Sequence, residues 1–553
     1  MRHRRAVLLL LLAATRPIAA QEAPRGVAVA PHPLAATAAQ QILHAGGTAA
    51  DAVIAAQMVL AVAEPQSSGL GGGSMLLDFN AATHEVTHWD GRETAPAGAT
   101  PGMFGGANGA ILPATGGRSV GVPGTLRMLE QLYHARGGHL PWADLMAPAI
   151  RAAEGGVPVS PSLAAAIAAH ADRLRRQPAA RALFFTPDGA PLAAGSTLVN
   201  QALGQTLRAV AAGGANALQH GPIAADIATT VRGDTEPGLM TVDDLAAYAV
   251  KKRAPACLAY RDRTICTAAP PAAGLQVLQA LGLLQHFNMG ALDLTSADAA
   301  QLMIEAERLA AADRALFLAD PDYVQVPLAG LLASDYLTAR AQGIDWDHAA
   351  DAPRAGNPAW TGPDIPLAAS PPQPEHGTST IAVVDASGNA VCLTSSLSGA
   401  FGSYLLVRGF MLNAAMSDFA TQAEQDGRPV ANRVQPGKRP ATSMTPAFVL
   451  DLKGALVAVL GSAGGSRIPA YVVQGVVGLV DWALPPAQAI ALPHVAGLLT
   501  GAELEAPGLL AALEARSQQV TQQIMRSDTV MIVTQPALLG AADARREGAV
   551  AIE

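Results

Sequence analysis

The chain has 553 residues, half of them hydrophobic and only 4% aromatic, with a formal net charge of −8. That length allows one or two large domains with a sizeable, mostly aliphatic core. The acidic balance and the lack of any basic block argue against a nucleic-acid partner.

Met1-Arg2-His3-Arg4-Arg5, the apolar run Leu8 to Leu12 and the small residues Ile18-Ala19-Ala20 read as a secretory signal peptide over 1–20, too short to span a membrane. An uncleaved anchor is the alternative. No later run reaches the length of a membrane span without a polar break, so a periplasmic or secreted protein is expected. Cys257, Cys266 and Cys392 are the three cysteines. An odd number without a CxxC pair argues against a disulfide framework or a zinc site. A Cys257–Cys266 bridge is allowed but not forced, and neither metal nor cofactor is expected.

Residues 34–45 are Ala-rich and helical in pattern, stopped by Gly46-Gly47. Thr48 and Asp51 form an N-cap with a first-turn acid, opening a helix from Ala49 to about Ala63. It is apolar on every face, so burial is expected. The Gly69 to Ser74 stretch precedes a strand, Met75 to Phe79, rather than following one. It is therefore no dinucleotide or phosphate loop, and close backbone packing is the expected role. A second strand, Val86 to Asp90, runs into Arg92-Glu93. These two read either as a surface ion pair, the commoner case, or as a fork for a substrate carboxylate.

Residues 124–235 are mostly helical in pattern. Strands are expected at Cys257 to Tyr260 and Thr264 to Thr267, then helices over 275–286 and 296–318. Residues 352–377 carry seven prolines and read as an extended linker. It ends at Gly377. The β-branched run Ile381 to Val384 is a buried strand, Asp385 to Asn389 a turn, and Ala390 to Ser396 the returning strand. Thr378 thus stands where loop becomes core strand. Such a Thr is usually structural. If the chain were cut before it, its own α-amine, with a pKa of roughly 8, could take the hydroxyl proton and make it a nucleophile. Further on, a hairpin of Phe448 to Asp451 and Ala455 to Leu460 delivers Gly461-Ser462-Ala463-Gly464-Gly465-Ser466-Arg467, which opens a buried helix, Ile468 to Ala483. Successive N–H groups in such a turn make an anion nest. Ser462 is no nucleophile elbow, because Leu460 breaks the G-x-S-x-G frame.

These pieces, in this order, resemble the γ-glutamyltransferase family of N-terminal-nucleophile hydrolases. The resemblance rests on Gly46-Gly47 with Ala49 to Ala52, Glu64-Pro65 with Ser67-Ser68-Gly69, Arg92 to Pro96, and Gly121 to Gly124. It continues through Thr378 with Val383-Val384-Asp385, Gly388 to Val391, Asp418-Phe419, Arg439-Pro440 with Ser443-Met444, Gly464 to Arg467, and Gly540 to Gly548. It implies an α+β fold, a four-layer αββα sandwich. It also implies a precursor that cuts itself after Gly377 into a large subunit, 21–377, and a small catalytic subunit, 378–553, which stay together as a heterodimer. The implied nucleophile is Thr378, assisted by Ser396, with Gly464 and Gly465 as oxyanion donors. Arg92 would grip the substrate α-carboxylate with Thr442 and Ser443, and Asp418 would accept its α-ammonium.

Two further family contacts to the α-amino end, at the positions of Ser398 and Ala415, are missing, so Ser398 could reach the substrate only through a water. The loop after Asp418 also looks shorter than in relatives with a lid. The implied activity is acyl transfer from small γ-glutamyl amides such as glutathione to water or an amine. The alternatives are a glutaryl-type, cephalosporin-acylase-like amidase and a non-catalytic binding homologue.

Overall fold

The structure, a computed structural model, describes residues 25–105, 111–112, 114–360, 366–370 and 377–553. The signal-peptide reading over 1–20 and the approach Glu375-His376 lie outside them. Two antiparallel sheets face each other. The first has the order Ala549–Ile552, Val27–Ala30, Thr378–Val384, Ala390–Ser396, Gly73–Asn80, Glu85–Gly91, Lys251–Arg253. The second runs Leu539–Ala542, Val530–Val533, Leu456–Gly461, Ala447–Leu450, Arg263–Thr267, Ala256–Tyr260.

The central hairpin follows from its sequence. Both alternating faces of Ile381 to Val384 are apolar, so the strand must be covered on both sides. Ala382 and Val384 point between the sheets, where they pack with Phe79, Cys392, Phe448 and Val459. Ile381 and Val383 point the other way, onto a cluster with Val53, Ile54 and Leu60 of the helix Ala49–Ala63. Ile381 and Val383, fully buried, each contribute about 1.5–3 kcal/mol. Asp385 closes the turn by accepting N–H bonds from Ser387 and Asn389 at 2.9 and 3.0 Å.

The helix Ala49–Ala63 is buried along its whole length, and Thr48 with Asp51 makes a reciprocal capping box. On the far side, Gly274–Leu284, Ala297–Phe317 and Ile468–Val480 cover the second sheet through Ile265, Val449 and Leu460. The order of layers is therefore helix, sheet, sheet, helix, as the resemblance implies. The two halves expected to separate as subunits are interleaved: Val27–Ala30 of the large half lies between Ala549–Ile552 and Thr378–Val384 of the small half.

The Gly-rich segment packs as expected. A Cβ at Gly72 would sit 2.3 Å from the carbonyl oxygen of Ser396, so only glycine permits that approach. Cys257 and Cys266 are joined by a disulfide across neighbouring strands, which settles what their spacing left open. The helix that Ile468 opens stops at Val480, short of the expected Ala483. No helix among the described residues is long and apolar enough to cross a membrane.

Candidate active site

Thr378 opens its strand opposite Ser396 and is 1% exposed. Gly377, just before it, has φ +84°, a left-handed conformation that glycine adopts without penalty. The Gly377 carbonyl oxygen accepts a hydrogen bond from Ser396 Oγ at 2.8 Å and one from Leu397 N at 3.3 Å. Ser396 has a single hydroxyl proton, and it is directed at that carbonyl. The 3.2 Å contact between Thr378 Oγ1 and Ser396 Oγ must then be donated by Thr378. The result is a chain of two hydroxyls ending on the carbonyl immediately before the expected nucleophile. Ser398 N–H donates to Ser396 Oγ at 2.9 Å and fixes it further.

Two acids lie beneath this strand. Ser379 Oγ donates to Glu64 at 2.7 Å. Burial pushes the Glu64 carboxyl above its usual range, and Arg546 draws it back. Burial also raises Asp528 well above the usual carboxylate range, again opposed by Arg546. Arg546 Nη1 donates to the Thr378 carbonyl at 3.0 Å, tying the segment around Arg546 to the start of the strand Thr378–Val384.

Arg92 is 1% exposed and Glu93 fully buried, which overturns the surface-pair reading. The position after the strand Glu85–Gly91 faces inward, something that adjacent charges in a sequence cannot reveal. Arg92 Nη1 donates to Glu93 at 2.8 Å and to Ser398 Oγ at 3.3 Å. Its Nη2 pairs with Asp418 Oδ2, and its Nε donates to the Pro440 carbonyl at 3.3 Å. The structure thus brings Arg92, Asp418 and Ser398 together, with Ser398 linking them through its backbone to Ser396.

Thr442 and Ser443 follow two and three residues after Pro440. Thr442 Oγ1 accepts from Met444 N at 3.3 Å, and Ser443 Oγ accepts from Arg314 at 2.8 Å. Ala415 is buried in the short turn Ala415–Asp418. Gly464 and Gly465 lie beyond the end of Leu456–Gly461, where Gly461 abuts the Thr380 side chain; Ala463 O accepts from Asp528 N at 3.3 Å. The nest therefore stands at the Thr378 end of the sandwich. Among the described residues no group of three or more His, Cys, Asp or Glu is arranged to hold a metal.

Residue-type reasoning missed Glu64, Asp528 and the contact of Arg546 as parts of this site. Only Glu64-Pro65 and the Arg545-Arg546 ending gave a signal, as members of the family pattern. Asp528 gave none.

The γ-glutamyltranspeptidase family model matches residues 35–553. The glutathione hydrolase proenzyme of Bacillus subtilis (strain 168) is 36% identical over 483 residues, covering 85% of this chain and 80% of that protein. The acylase ACY 1 proenzyme of Pseudomonas sp. (strain SE83) is 34% identical over 515 residues, covering 90% and 88%. Among solved structures, the cephalosporin acylase from Bacillus halodurans superposes with a TM-score of 0.83 at 26% identity, covering 98% of this chain and 99% of that one. By its sequence match, its two-sheet core and the order of its motifs, this chain belongs to the γ-glutamyltranspeptidase family.

Proposed function

We propose that the chain is a precursor that cuts itself between Gly377 and Thr378 and then transfers γ-glutamyl groups from small amides such as glutathione to water or an amine. The observation that carries this reading is the hydroxyl chain from Thr378 Oγ1 through Ser396 Oγ to the Gly377 carbonyl. As Thr378 Oγ1 forms a bond to the Gly377 carbonyl carbon, its proton passes to Ser396, and the Ser396 proton passes to the carbonyl oxygen. Collapse of the adduct breaks the C–N bond, and the Thr378 nitrogen takes up the proton. Water then hydrolyses the ester, leaving a Gly377 carboxylate and a free Thr378 amine.

That amine serves as base for turnover. It takes the Oγ1 proton while Oγ1 attacks the substrate γ-carbonyl, and hands it to the leaving amine. Gly464 and Gly465 N–H groups hold the oxyanion, an interaction type worth about 3–4 kcal/mol per donor. Arg92, with Thr442 and Ser443, receives the α-carboxylate, and Asp418 the α-ammonium. The products of cutting are a large subunit, 21–377, and a small one, 378–553. One strand of the large subunit, Val27–Ala30, is paired on both edges by strands of the small one, which supports their staying together. The basic and apolar amino terminus supports a periplasmic or secreted location.

A glutaryl-type amidase is the second reading. It is favoured by Ala415 and Ser398, which thin the ammonium cradle, and by the likeness to two acylases. Asp418 opposes it. Denaturing gels of purified protein test the main reading: two bands are expected from wild type and one from Thr378→Ala. Wild-type protein that stays intact while hydrolysing its substrate would overturn the self-cutting mechanism. Rates with glutathione and with a glutaryl anilide separate the two activities, and turnover of neither would favour a non-catalytic homologue.

A further inference from the structure

The Gly464-Gly465 nest is braced by two aromatic rings and a buried polar chain that take no part in the proposed proton transfers. Tyr471 lies in the first turn of the helix Ile468–Val480, into which Gly464 and Gly465 lead. Side chains on a helix lean back toward its N-terminus. The Tyr471 ring accordingly reaches the nest: a Cβ on Gly464 would stand 2.4 Å from Tyr471 Cε2. The same ring lies against His494, with the ring centroids 4.1 Å apart. Tyr471 Oη is buried and has no hydrogen-bond partner among the described residues, so what the nest feels is the ring and not the hydroxyl.

His494 is buried and bonded at both ring nitrogens. Gln474 donates through Nε2 to the Pro493 carbonyl at 2.8 Å, which turns its Oε1 to accept from His494 Nδ1 at 2.8 Å. His494 Nε2 meets Ser527 Oγ at 2.7 Å, and Ser527 bonds in turn to Asp543 Oδ2. Ser527 leads into a segment that grips the nest from another side. Gly461 pairs with Val530, so the residues after the one face the residues before the other. Asp528 N donates to the Ala463 carbonyl, and Ser462 Oγ meets Thr529 Oγ1 at 3.0 Å. His494 therefore bears on the nest twice, through the Tyr471 ring at Gly464 and through Ser527 at Ser462 and Ala463.

We infer that His494 and Tyr471 are positioning residues for the oxyanion: the imidazole, tied at both nitrogens, holds the Tyr471 ring against Gly464 and so aims the Gly464 and Gly465 N–H groups. The inference rests on the acyl-enzyme reading, in which those two glycines stabilise the developing charge. Oxyanion donors act because they are fixed before the charge appears, with no reorganisation left to do. Two glycines in a turn have no side chains to fix them, so the rigidity must come from what packs on them. A planar ring lying on a second ring, itself bonded at both ends, supplies it without flexible groups.

The test compares a ligand that creates the oxyanion with one that does not. The boronic acid 2-amino-4-boronobutanoate carries boron in place of the γ-carboxyl carbon of glutamate. Thr378 Oγ1 bonds to the boron and its proton passes to the α-amine, so the boron becomes a tetrahedral anion with an oxygen toward the nest. Glutamate has the same head, a planar γ-carboxylate and no bond to Thr378. Inhibition constants for both are measured on processed wild type, His494→Gln, Tyr471→Leu and Tyr471→Phe. In His494→Gln and Tyr471→Leu the preference for the boronate over glutamate is expected to fall about tenfold, less than the roughly 10²–10³ that follows loss of a whole donor. Tyr471→Phe keeps the ring and is expected to keep the preference. An unchanged preference in His494→Gln and Tyr471→Leu, or an equal weakening of both ligands, overturns the inference. The two variants are read separately, so one that fails to fold or stays uncut leaves the other to decide. A wild type without preference for the boronate defeats the acyl-enzyme reading, and the inference with it. If wild type binds only 4-boronobutanoate and glutarate, the γ-glutamyl reading alone fails, and the same ratio for that pair decides His494 and Tyr471.

Discussion

Arg92 Nη2 rests on Asp418 Oδ2 with both side chains buried, so the two groups proposed to read opposite charges on the substrate neutralise each other when no substrate is bound. A γ-glutamyl head is a zwitterion. Its carboxylate can take Arg92 while its ammonium takes Asp418, and the site's charge balance is kept. Glu93, also on Arg92, is pushed by burial toward its neutral form and drawn back by the guanidinium. Removing one partner of a buried pair costs about 3–5 kcal/mol. Arg92→Ala is therefore expected to lower kcat/KM by a similar amount while two bands still form on a gel. Turnover equal to wild type would show that Arg92 does not hold the substrate.

Ser396 supplies the second hydroxyl of the chain to the Gly377 carbonyl. Positioned proton transfer of this kind contributes about 10²–10⁴ in rate. Ser396→Ala is expected to slow self-cutting by roughly a hundredfold, and Ser396→Thr, which keeps the hydroxyl, to retain most of it. A time course of band formation after purification reads both. Wild-type kinetics in Ser396→Ala would place the proton path elsewhere, with the Leu397 N–H left as donor to the carbonyl.

His88 offers a stability test away from the chemistry. Its Nδ1 accepts from Ala269 N at 3.2 Å, so the ring is neutral with its proton on Nε2, facing Met75 sulfur at 3.3 Å. Burial lowers its pKa to about 4. Between pH 6.5 and 4 the unfolded chain binds a proton that the folded one refuses, so this histidine's contribution falls as the pH drops. The loss amounts to about 3 kcal/mol. Asn at this position keeps the acceptor without titrating. The stability difference between wild type and His88→Asn should shift against wild type by that amount from pH 7 to pH 4, as measured by denaturant unfolding. A pH-independent difference would mean that His88 is protonated or solvated in the folded protein.

The legible parts of this fold are those where local pattern and tertiary role agree. The turn Asp385 to Asn389, the β-branched strand before it and the Thr48–Asp51 capping box can each be read from a few adjacent residues. The strands Val27–Ala30 and Ala549–Ile552 cannot. Both are short and Ala-rich, and they are strands because they pair with each other beside Thr378–Val384. The same holds for the site. The place of Thr378 at the start of a core strand is legible locally, but its expected role comes only from the family pattern. Arg92 and Asp418 are 326 positions apart and meet only because the sandwich brings their loops to one end. Asp528 and Arg546 lie under the strand Thr378–Val384 for the same reason.

The thinned ammonium cradle gives the sharpest specificity test. A site built to hydrogen-bond a polar group rejects analogues lacking it, because its own buried groups are left unpaired. Ala415 offers no polar side chain here, and Ser398 Oγ already accepts from Arg92. Discrimination then falls on Asp418. A glutaryl substrate brings a carboxylate to Arg92 but no ammonium, so it displaces Asp418 from its cation and leaves a buried acid uncompensated. Asp418→Asn removes that charge and keeps the shape. It is expected to shift the ratio of kcat/KM toward glutaryl over γ-glutamyl anilide by roughly 1–3 kcal/mol, the range for a buried group left without its partner. The shift should come with a loss on the γ-glutamyl side, since Asn cannot neutralise an ammonium. A wild type that rejects the glutaryl substrate outright, with that ratio unmoved in Asp418→Asn, would mean that another residue reads the ammonium.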